Sequence, residues 1–172
     1  MKPIQNVILL IMVGWAITAN AQTCYDDVVH TTPNDRFIDN GDGTVKDKKT
    51  NLIWMRCVLG QEWDGQTCTG VAATYTWQQA LKEADVYTFA GNNDWYLPNI
   101  KELTSIVERA CYDPAINKNV FPKTPSAGFW TASPYAPNND HAWYVDFDGG
   151  GDYGNGNKNY NFSVRLVRSD SN

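Results

Sequence analysis

Four cysteines constrain the fold of this 172-residue chain: Cys24, Cys57, Cys68 and Cys111. In an exported protein an even number of cysteines favours disulfide bonds over free thiols. Cys57 and Cys68 flank a segment with the tight-turn signal Asp64-Gly65, so we predict that they pair across a hairpin and leave Cys24 with Cys111. No Cys-x2-Cys spacing is present, and the isolated His30 and His141 do not suggest a zinc site.

The first 21 residues have the features of an export signal. Lys2 supplies a positive start, residues 7–17 are apolar, and Ala19-Asn20-Ala21 places small residues where a signal peptidase acts. The apolar stretch is shorter than the roughly 20 residues of a membrane-spanning helix. We therefore predict cleavage after Ala21. The mature protein is expected in the periplasm, at the cell surface or outside the cell, with no membrane insertion.

The remaining residues have the length of one domain. We divide them into an N-terminal lead-in over 22–35 and a single domain over 36–172. Without Lys2 the chain carries 13 basic and 19 acidic residues, a net charge of −6. Such a surface does not attract nucleic acid, so a glycan or a surface protein is the expected partner.

Turn and capping signals predict the local structure of the first half. Residues 36–57 predict a pair of strands with turns at 40–43 and around 48–51. Residues 74–87 predict a helix that starts with a capping box of Thr76 and Gln79.

A second helix is predicted over residues 95–110. Asn99 is placed to cap it, Glu102 occupies the third helical position, and apolar residues recur along one face. We assign Glu102, Glu108 and Lys101 the role of solvated or capping charges.

The second half of the chain is strand-rich. Residues 129–133, 141–147 and 161–169 each predict a strand, separated by polar loops. In the last, Phe162, Val164 and Leu166 are expected on one face, opposite Ser163, Arg165 and Val167. Strands, two helices and further strands predict an α+β domain. Four tryptophans are expected in its core: Trp54, Trp77, Trp95 and Trp130.

Six sequence blocks resemble, in order, the Lcl C-terminal domain family, named for the Legionella collagen-like adhesin. They are RFIDNGDGTVKDKKTNLIWMRC, TYTWQQALKEA, NDWYLPNIKELTSIVE, FWTASPYA, AWYVDFDGG and FSVRLVRS, within residues 36–169. The resemblance implies a C-type-lectin-like single domain with mixed or antiparallel sheets, two helices and long ligand-presenting loops. It also implies adhesion, since the namesake binds sulfated polysaccharides and forms trimers; a homo-trimer is therefore expected here. The net charge of −6 disfavours a sulfated ligand.

The residue pattern does not suggest an enzyme. No Gly-x-Ser-x-Gly elbow is present, and the two histidines are far apart in sequence. Asp146 and Asp148 offer paired carboxylates, but a glycosidase needs a facing partner at a defined separation. Formylglycine-generating enzymes, which share the implied fold class, use cysteines near the domain end, and this chain has none after Cys111. We therefore predict a non-catalytic protein.

Residues 147–162, FDGGGDYGNGNKNYNF, are predicted to form a polar loop. Strand alternation before it places Trp143, Val145 and Phe147 in the core and Tyr144, Asp146 and Asp148 outside. Tyrosine offers a large apolar plate with a polar tip, and Asn and Gly supply adaptable contacts. We predict a ligand surface of Tyr144, Asp146, Asp148, Asp152, Tyr153, Asn155, Asn157 and Tyr160, with Asn138, Asn139, Asp140 and His141.

Three alternatives stay open. The stretch is also compatible with a solvated loop that joins two strands. A calcium loop through Asp146, Asp148, Asp152 and Asn155 suits its oxygen-rich composition, although the Glu-Pro-Asn and Trp-Asn-Asp motifs of calcium-binding lectins are absent; otherwise no metal or cofactor is expected. Finally, the domain suits a structural subunit of a cell-surface assembly.

Overall fold

The structure is a computed structural model that describes residues 22–149 and 152–170. The side chains of Asp152 and Tyr153 lie outside this description, as does the predicted export signal. Among the described residues, no helix is long and apolar enough to cross a membrane. The regular elements, in chain order, are β1 (Thr23–Cys24), β2 (Phe37–Asp39), β3 (Thr44–Asp47), β4 (Leu52–Met55), β5 (Gln61–Trp63), β6 (Cys68–Gly70), β7 (Thr74–Tyr75), α1 (Trp77–Val86), α2 (Ile100–Thr104), β8 (Cys111–Tyr112), β9 (Gly128–Pro134), β10 (His141–Asp146), β11 (Asp152–Asn157), β12 (Phe162–Ser163) and β13 (Val167–Ser169).

Two sheets and two helices form the body of the domain. The larger sheet has five strands in the order β11-β10-β9-β12-β7, and the second has four in the order β13-β4-β3-β2. Two further two-stranded sheets are formed by β1 with β8 and by the β5–β6 hairpin. The prediction of an α+β domain is confirmed, with sheets dominating.

The first half of the chain follows the turn and capping signals closely. Residues 36–57 form three strands, β2 to β4, one more than the predicted pair, because both turns reverse the chain. Helix α1 starts with the predicted capping box: Thr76 Oγ1 accepts from the Gln79 N–H at 3.4 Å, and Gln79 Oε1 accepts from the Thr76 N–H at 2.9 Å.

The second helix is shorter than predicted. Its capping box of Asn99 and Glu102 is present, but α2 ends at Thr104. Beyond it the chain turns towards β8, and the Glu108 carboxylate accepts hydrogen bonds from Thr31 and Thr32. Glu108 is 1% exposed, so its prediction as a solvated charge is wrong.

The predicted strand over residues 161–169 is divided between the two sheets. β12 belongs to the five-stranded sheet and β13 to the four-stranded sheet. Residues 163–167 are all buried because the chain passes from one sheet to the other between them. The predicted alternation therefore fails, and Arg165 is fully buried.

Two clusters of buried side chains make up the core. One packs Trp54, Phe129 and Val145 with α2, and the other packs Trp130 and Trp95 with α1. Trp54, Trp95 and Trp130 are buried as predicted, whereas Trp77 is only partly buried because it lies on the first turn of α1, at the edge of the core.

Both predicted disulfide pairings are confirmed. Cys57–Cys68 closes the β5–β6 hairpin, and Cys24–Cys111 ties β1 to β8. The Asp64 side chain accepts from the N–H groups of Gln66 at 2.9 Å and Thr67 at 2.8 Å, which stabilises the tight turn.

Replacing Gly60 by alanine is expected to lower the free energy of unfolding by about 2–4 kcal/mol. Gly60 has φ +90°, and a Cβ there would lie 2.5 Å from the Ala73 nitrogen, whose N–H donates to Leu59 O. The control is Gly65→Ala, where φ is +101° but no atom lies within 4 Å of the added Cβ. Urea unfolding with both disulfides intact measures the two losses; equal losses would contradict the steric argument.

Candidate functional site

The Gly- and Asn-rich stretch forms a hairpin rather than a long loop. Strand β11 pairs antiparallel with β10 in continuous register from His141–Asn157 to Asp146–Asp152. The prediction of a loop is therefore wrong for residues 152–157. β11 lies at the edge of the five-stranded sheet, beside β10 alone.

Two positions of β11 are glycine because aromatic rings cover them and leave little room for a Cβ atom. A Cβ at Gly154 would lie 3.0 Å from Tyr144 Oη, and one at Gly156 would lie 3.0 Å from Phe162 Cε2. The Tyr144 ring packs 4.6 Å from Phe162 and 6.4 Å from Trp130, measured between centroids. Aromatic packing over strand glycines stabilises the sheet, so Tyr144 is half-buried instead of projecting outward.

The register places the predicted ligand residues on both faces of the sheet. Directly opposed residues share a face, so Tyr144 and Asp146 lie on the side of Gly154, whereas Asn155 and Asn157 lie with His141 on the other. His141 Nδ1 is 2.8 Å from Asn155 Oδ1.

The predicted core residues in and just after β10 are also less regularly buried than predicted. Val145 and Phe147 are buried, but Trp143 is partly exposed.

Carboxylates gather where β10 ends. This acidic end consists of Asp113, Asp146, Asp148 and Ser126. Ser126 Oγ lies 2.9 Å from one carboxylate oxygen of both Asp113 and Asp148, and Asp146 Oδ1 accepts from the Asp148 N–H at 3.1 Å. Hydrogen bonding with Asp113 and then Ser126 lowers the pKa of the exposed Asp148. The backbone of Asp152 is also here, opposite Asp146.

The other predicted residues gather at the opposite end of the hairpin. This polar end consists of Asn138, Asn139, Asp140, His141, Asn155, Asn157, Lys158 and Tyr160. Lys158 links its segments, because its Nζ donates to Asn139 O at 2.6 Å and its N–H donates to Asp140 O at 2.8 Å. A strand of six residues separates the two ends by about 17 Å. The predicted surface is thus two separate groups of side chains, with the half-buried Tyr144 between them.

An open cleft of 470 Å³ lies between the polar end and the start of α1. It is lined by Thr76, Trp77, Gln78, Leu81, Asp140, Lys158 and Asn159. Trp77 Nε1 donates to Thr131 O at 2.8 Å, which fixes the indole, and the Lys158 ammonium lies 4.4 Å from the ring centroid.

Sequence reasoning missed most of this lining. Trp77 is predicted in the core, but it occupies the first turn of α1, where helical side chains point back towards the N-terminus. That direction brings it to Lys158, whose carbonyl also accepts from the Trp77 N–H at 3.0 Å. The Asn-rich composition around Lys158 and Asn159 is the signal in the sequence that points to this region.

The cleft is lined mostly by polar side chains around one aromatic ring. Its lining offers an indole, two amide side chains, one ammonium and one carboxylate, with no histidine or cysteine. Within residues 22–149 and 152–170, no group of three or more His, Cys, Asp or Glu side chains is arranged to hold a metal ion. The suggested calcium ligand Asn155 lies on the opposite face from Asp146.

These features define a disulfide-bonded α+β domain with an open polar cleft. The family model of the Lcl C-terminal domain matches residues 43–168, most of the chain, and the protein belongs to that family. Membership suggests an adhesin-like domain. A search of curated proteins found no match to this chain.

Proposed function

We propose that this protein is an exported, non-catalytic adhesion domain of C-type-lectin-like fold that binds a glycan in the cleft beside Trp77. The proposal rests on this cleft, because an indole fixed by a hydrogen bond, two planar amides, one ammonium and one carboxylate line it. Its volume of 470 Å³ lies within the usual range of ligand sites. Family membership supports adhesion, and the two disulfides support export.

The side chains of the cleft suit the two kinds of surface that a sugar presents. The Lys158 ammonium lies over one face of the indole, so the remaining exposed part of the ring is the apolar plate for the C–H face of a pyranose ring. Gln78 and Asn159 supply donors and acceptors for hydroxyl groups, and Asp140 adds a charged acceptor. Lys158 is the one cation in the lining, and the mature chain has a net charge of −6, so a neutral sugar fits better than a sulfated one.

Replacing Trp77 by alanine is expected to weaken glycan binding at least about tenfold, which corresponds to about 1.4 kcal/mol of lost contact. The oxidised protein is screened on a glycan array and on immobilised polysaccharides, and positive ligands are then titrated by calorimetry. Lys158→Gln, which removes the ammonium from the cleft, serves as a second variant.

Asp148→Asn is the matched control, since it changes the acidic end without touching the cleft. It is expected to bind as the unmodified protein does. Tyr144→Ala and Tyr153→Ala test the other predicted contacts, and a chelator tests for calcium. Unchanged binding in Trp77→Ala, or a folded protein that binds no glycan, would exclude the cleft as a glycan site.

A further inference from the structure

The two disulfide bonds differ in how far solvent can reach them. Cys57 and Cys68 are 2% and 3% exposed, so the bond of the β5–β6 hairpin is enclosed by protein. In the other bond Cys111 is 5% exposed, but Cys24 lies exposed at the surface. Reduction requires a thiolate to reach a sulfur atom, so access helps to decide which disulfide reacts. The Cys24–Cys111 bond is the accessible one.

Two open cavities lie beside the Cys24–Cys111 bond. A cavity of 370 Å³ is lined by Cys24 and Cys111 together. Another, of 380 Å³, is lined by Cys111 with Tyr25 and Tyr112. The hairpin cysteines line neither of these two cavities. A small dithiol therefore has room to approach the first bond and not the second.

The segment that this bond holds in place contributes little to the core. We call residues 22–29 the strap. Residues 23–29 are all exposed. Among the residues that the structure describes, neither buried cluster of the core includes one that precedes Phe37. Detachment of the strap therefore leaves both clusters intact.

Few other contacts attach the strap. Its two-residue strand β1 pairs with β8, and the Tyr25 N–H donates to Ala110 O at 2.8 Å. Gln22 Nε2 donates to the carbonyls of Pro114 and Ile116, both at 2.6 Å. A two-stranded pair is marginal by itself, and exposed hydrogen bonds of this kind open locally at low cost.

We propose that Cys24–Cys111 is a reducible clasp: an external dithiol opens it and frees the strap, while Cys57–Cys68 and the rest of the fold stay intact. One thiolate of the dithiol attacks the Cys24 sulfur, breaks the S–S bond and expels Cys111 as a thiolate. The second thiolate of the dithiol then displaces Cys24 and closes a disulfide within the reagent. Two electrons pass from the dithiol to the protein, and its two protons end on the cysteine thiols.

The strap keeps an anchor at its C-terminal side. The N–H groups of Thr31 and Thr32 donate to the Glu108 carboxylate at 2.9 Å, and these bonds do not involve the disulfide. Opening therefore stops before Thr31. It uncovers β8 and the Tyr112 ring, whose centroid lies 5.9 Å from that of Tyr25.

Selective reduction tests the clasp, and the hairpin disulfide is the internal control. The folded, oxidised protein is incubated with dithiothreitol, alkylated at intervals and digested, and mass spectrometry follows each cysteine. We expect Cys24 and Cys111 to be alkylated together, at least about tenfold faster than Cys57 and Cys68. Equal rates for the two bonds, faster labelling of the hairpin, or no reduction of the folded protein would overturn the proposal.

Hydrogen exchange of a double variant tests whether the opening is local. Cys24→Ser combined with Cys111→Ser removes the bond, and NMR compares it with the oxidised unmodified protein. The Tyr25 amide should exchange at least about tenfold faster, whereas the Thr31 and Thr32 amides should keep their protection. Unchanged exchange at Tyr25, or faster exchange that extends to Thr31, Thr32 and the core, would contradict a clasp that opens locally.

Discussion

Replacing Arg165 by alanine is expected to lower the free energy of unfolding by about 4 kcal/mol. Arg165 is fully buried between β12 and β13. One of its guanidinium nitrogens, Nη1, donates to the carbonyls of Met55 and Arg56, and Nη2 donates to Thr124 Oγ1 at 2.6 Å. The variant leaves a cavity and deprives these buried oxygens of a donor.

Among residues 22–149 and 152–170, no carboxylate forms an ion pair with the buried Arg165 guanidinium. Burial lowers the pKa of Arg165 to about 9, so the guanidinium is still a cation at neutral pH. Carbonyl dipoles, the Thr124 hydroxyl and the Phe121 ring, 4.8 Å away, replace the lost hydration. Arg165→Lys should show an intermediate loss, because an ammonium does not match the spacing of three acceptors.

Urea unfolding with intact disulfides measures the Arg165 effect. Arg168→Ala is the control, since Arg168 lies three residues along and forms an ion pair with the half-exposed Asp94 at 3.4 Å. Such a pair contributes about 1 kcal/mol or less. If Arg165→Ala costs no more than the control, the guanidinium does not stabilise the junction of the two sheets.

Replacing Glu108 by alanine is expected to lower the free energy of unfolding by about 3 kcal/mol and to loosen the attachment of Thr31 and Thr32, while the Cys24–Cys111 disulfide still ties the lead-in to β8. The carboxylate accepts from the N–H groups of Thr31, Thr32 and Ala110 at 2.9–3.0 Å and from the Thr32 hydroxyl at 2.8 Å. These contacts join residues before β2 to the segment after α2. In Glu108→Ala the donors lose their acceptor while the surrounding chain stays buried.

The same site is expected to make stability depend on pH. Burial alone would raise the pKa of Glu108, but hydrogen bonds from Ala110, Thr31 and Thr32 outweigh it and hold the pKa below its ordinary 4.5. Because the folded value is the lower one, the stabilisation is fully present above about pH 4.5 and is lost as the pH falls through the folded value. The exposed His30 faces the carboxylate at 3.5 Å.

Chemical denaturation at pH 7 and pH 3 checks this dependence. The stability difference between the unmodified protein and Glu108→Gln should shrink at pH 3, because the carboxyl group is then increasingly protonated. Glu62→Gln, on the exposed hairpin β5–β6, should leave stability within about 0.5 kcal/mol of the unmodified protein. A Glu108→Gln difference that is the same at both pH values would refute the lowered pKa.

Features that depend on neighbours in the chain were predictable from the sequence. Both capping boxes join residues three positions apart, and the Asp64 turn is closed by N–H groups two and three residues later. The even number of cysteines and one strong turn signal predict the correct disulfides. The ordered blocks of residues indicate the family, which the match over residues 43–168 confirms.

The tertiary structure alone decided which polar side chains are buried and which candidate residues meet. Glu108 bonds to a residue 76 positions away and Arg165 to one 110 positions away, and neither partner has a local signal. In the sequence, a strand with glycines on one face looks the same as a loop. The structure shows that Tyr144 and Phe162 cover these glycines. The sequence determined the local hydrogen bonds, the cysteine pairing and the family. Only tertiary packing divides the predicted ligand surface into two groups of side chains and forms the cleft beside Trp77. Both features bring together segments that are distant in sequence, and the free energy of each side chain depends on which of those distant residues pack around it.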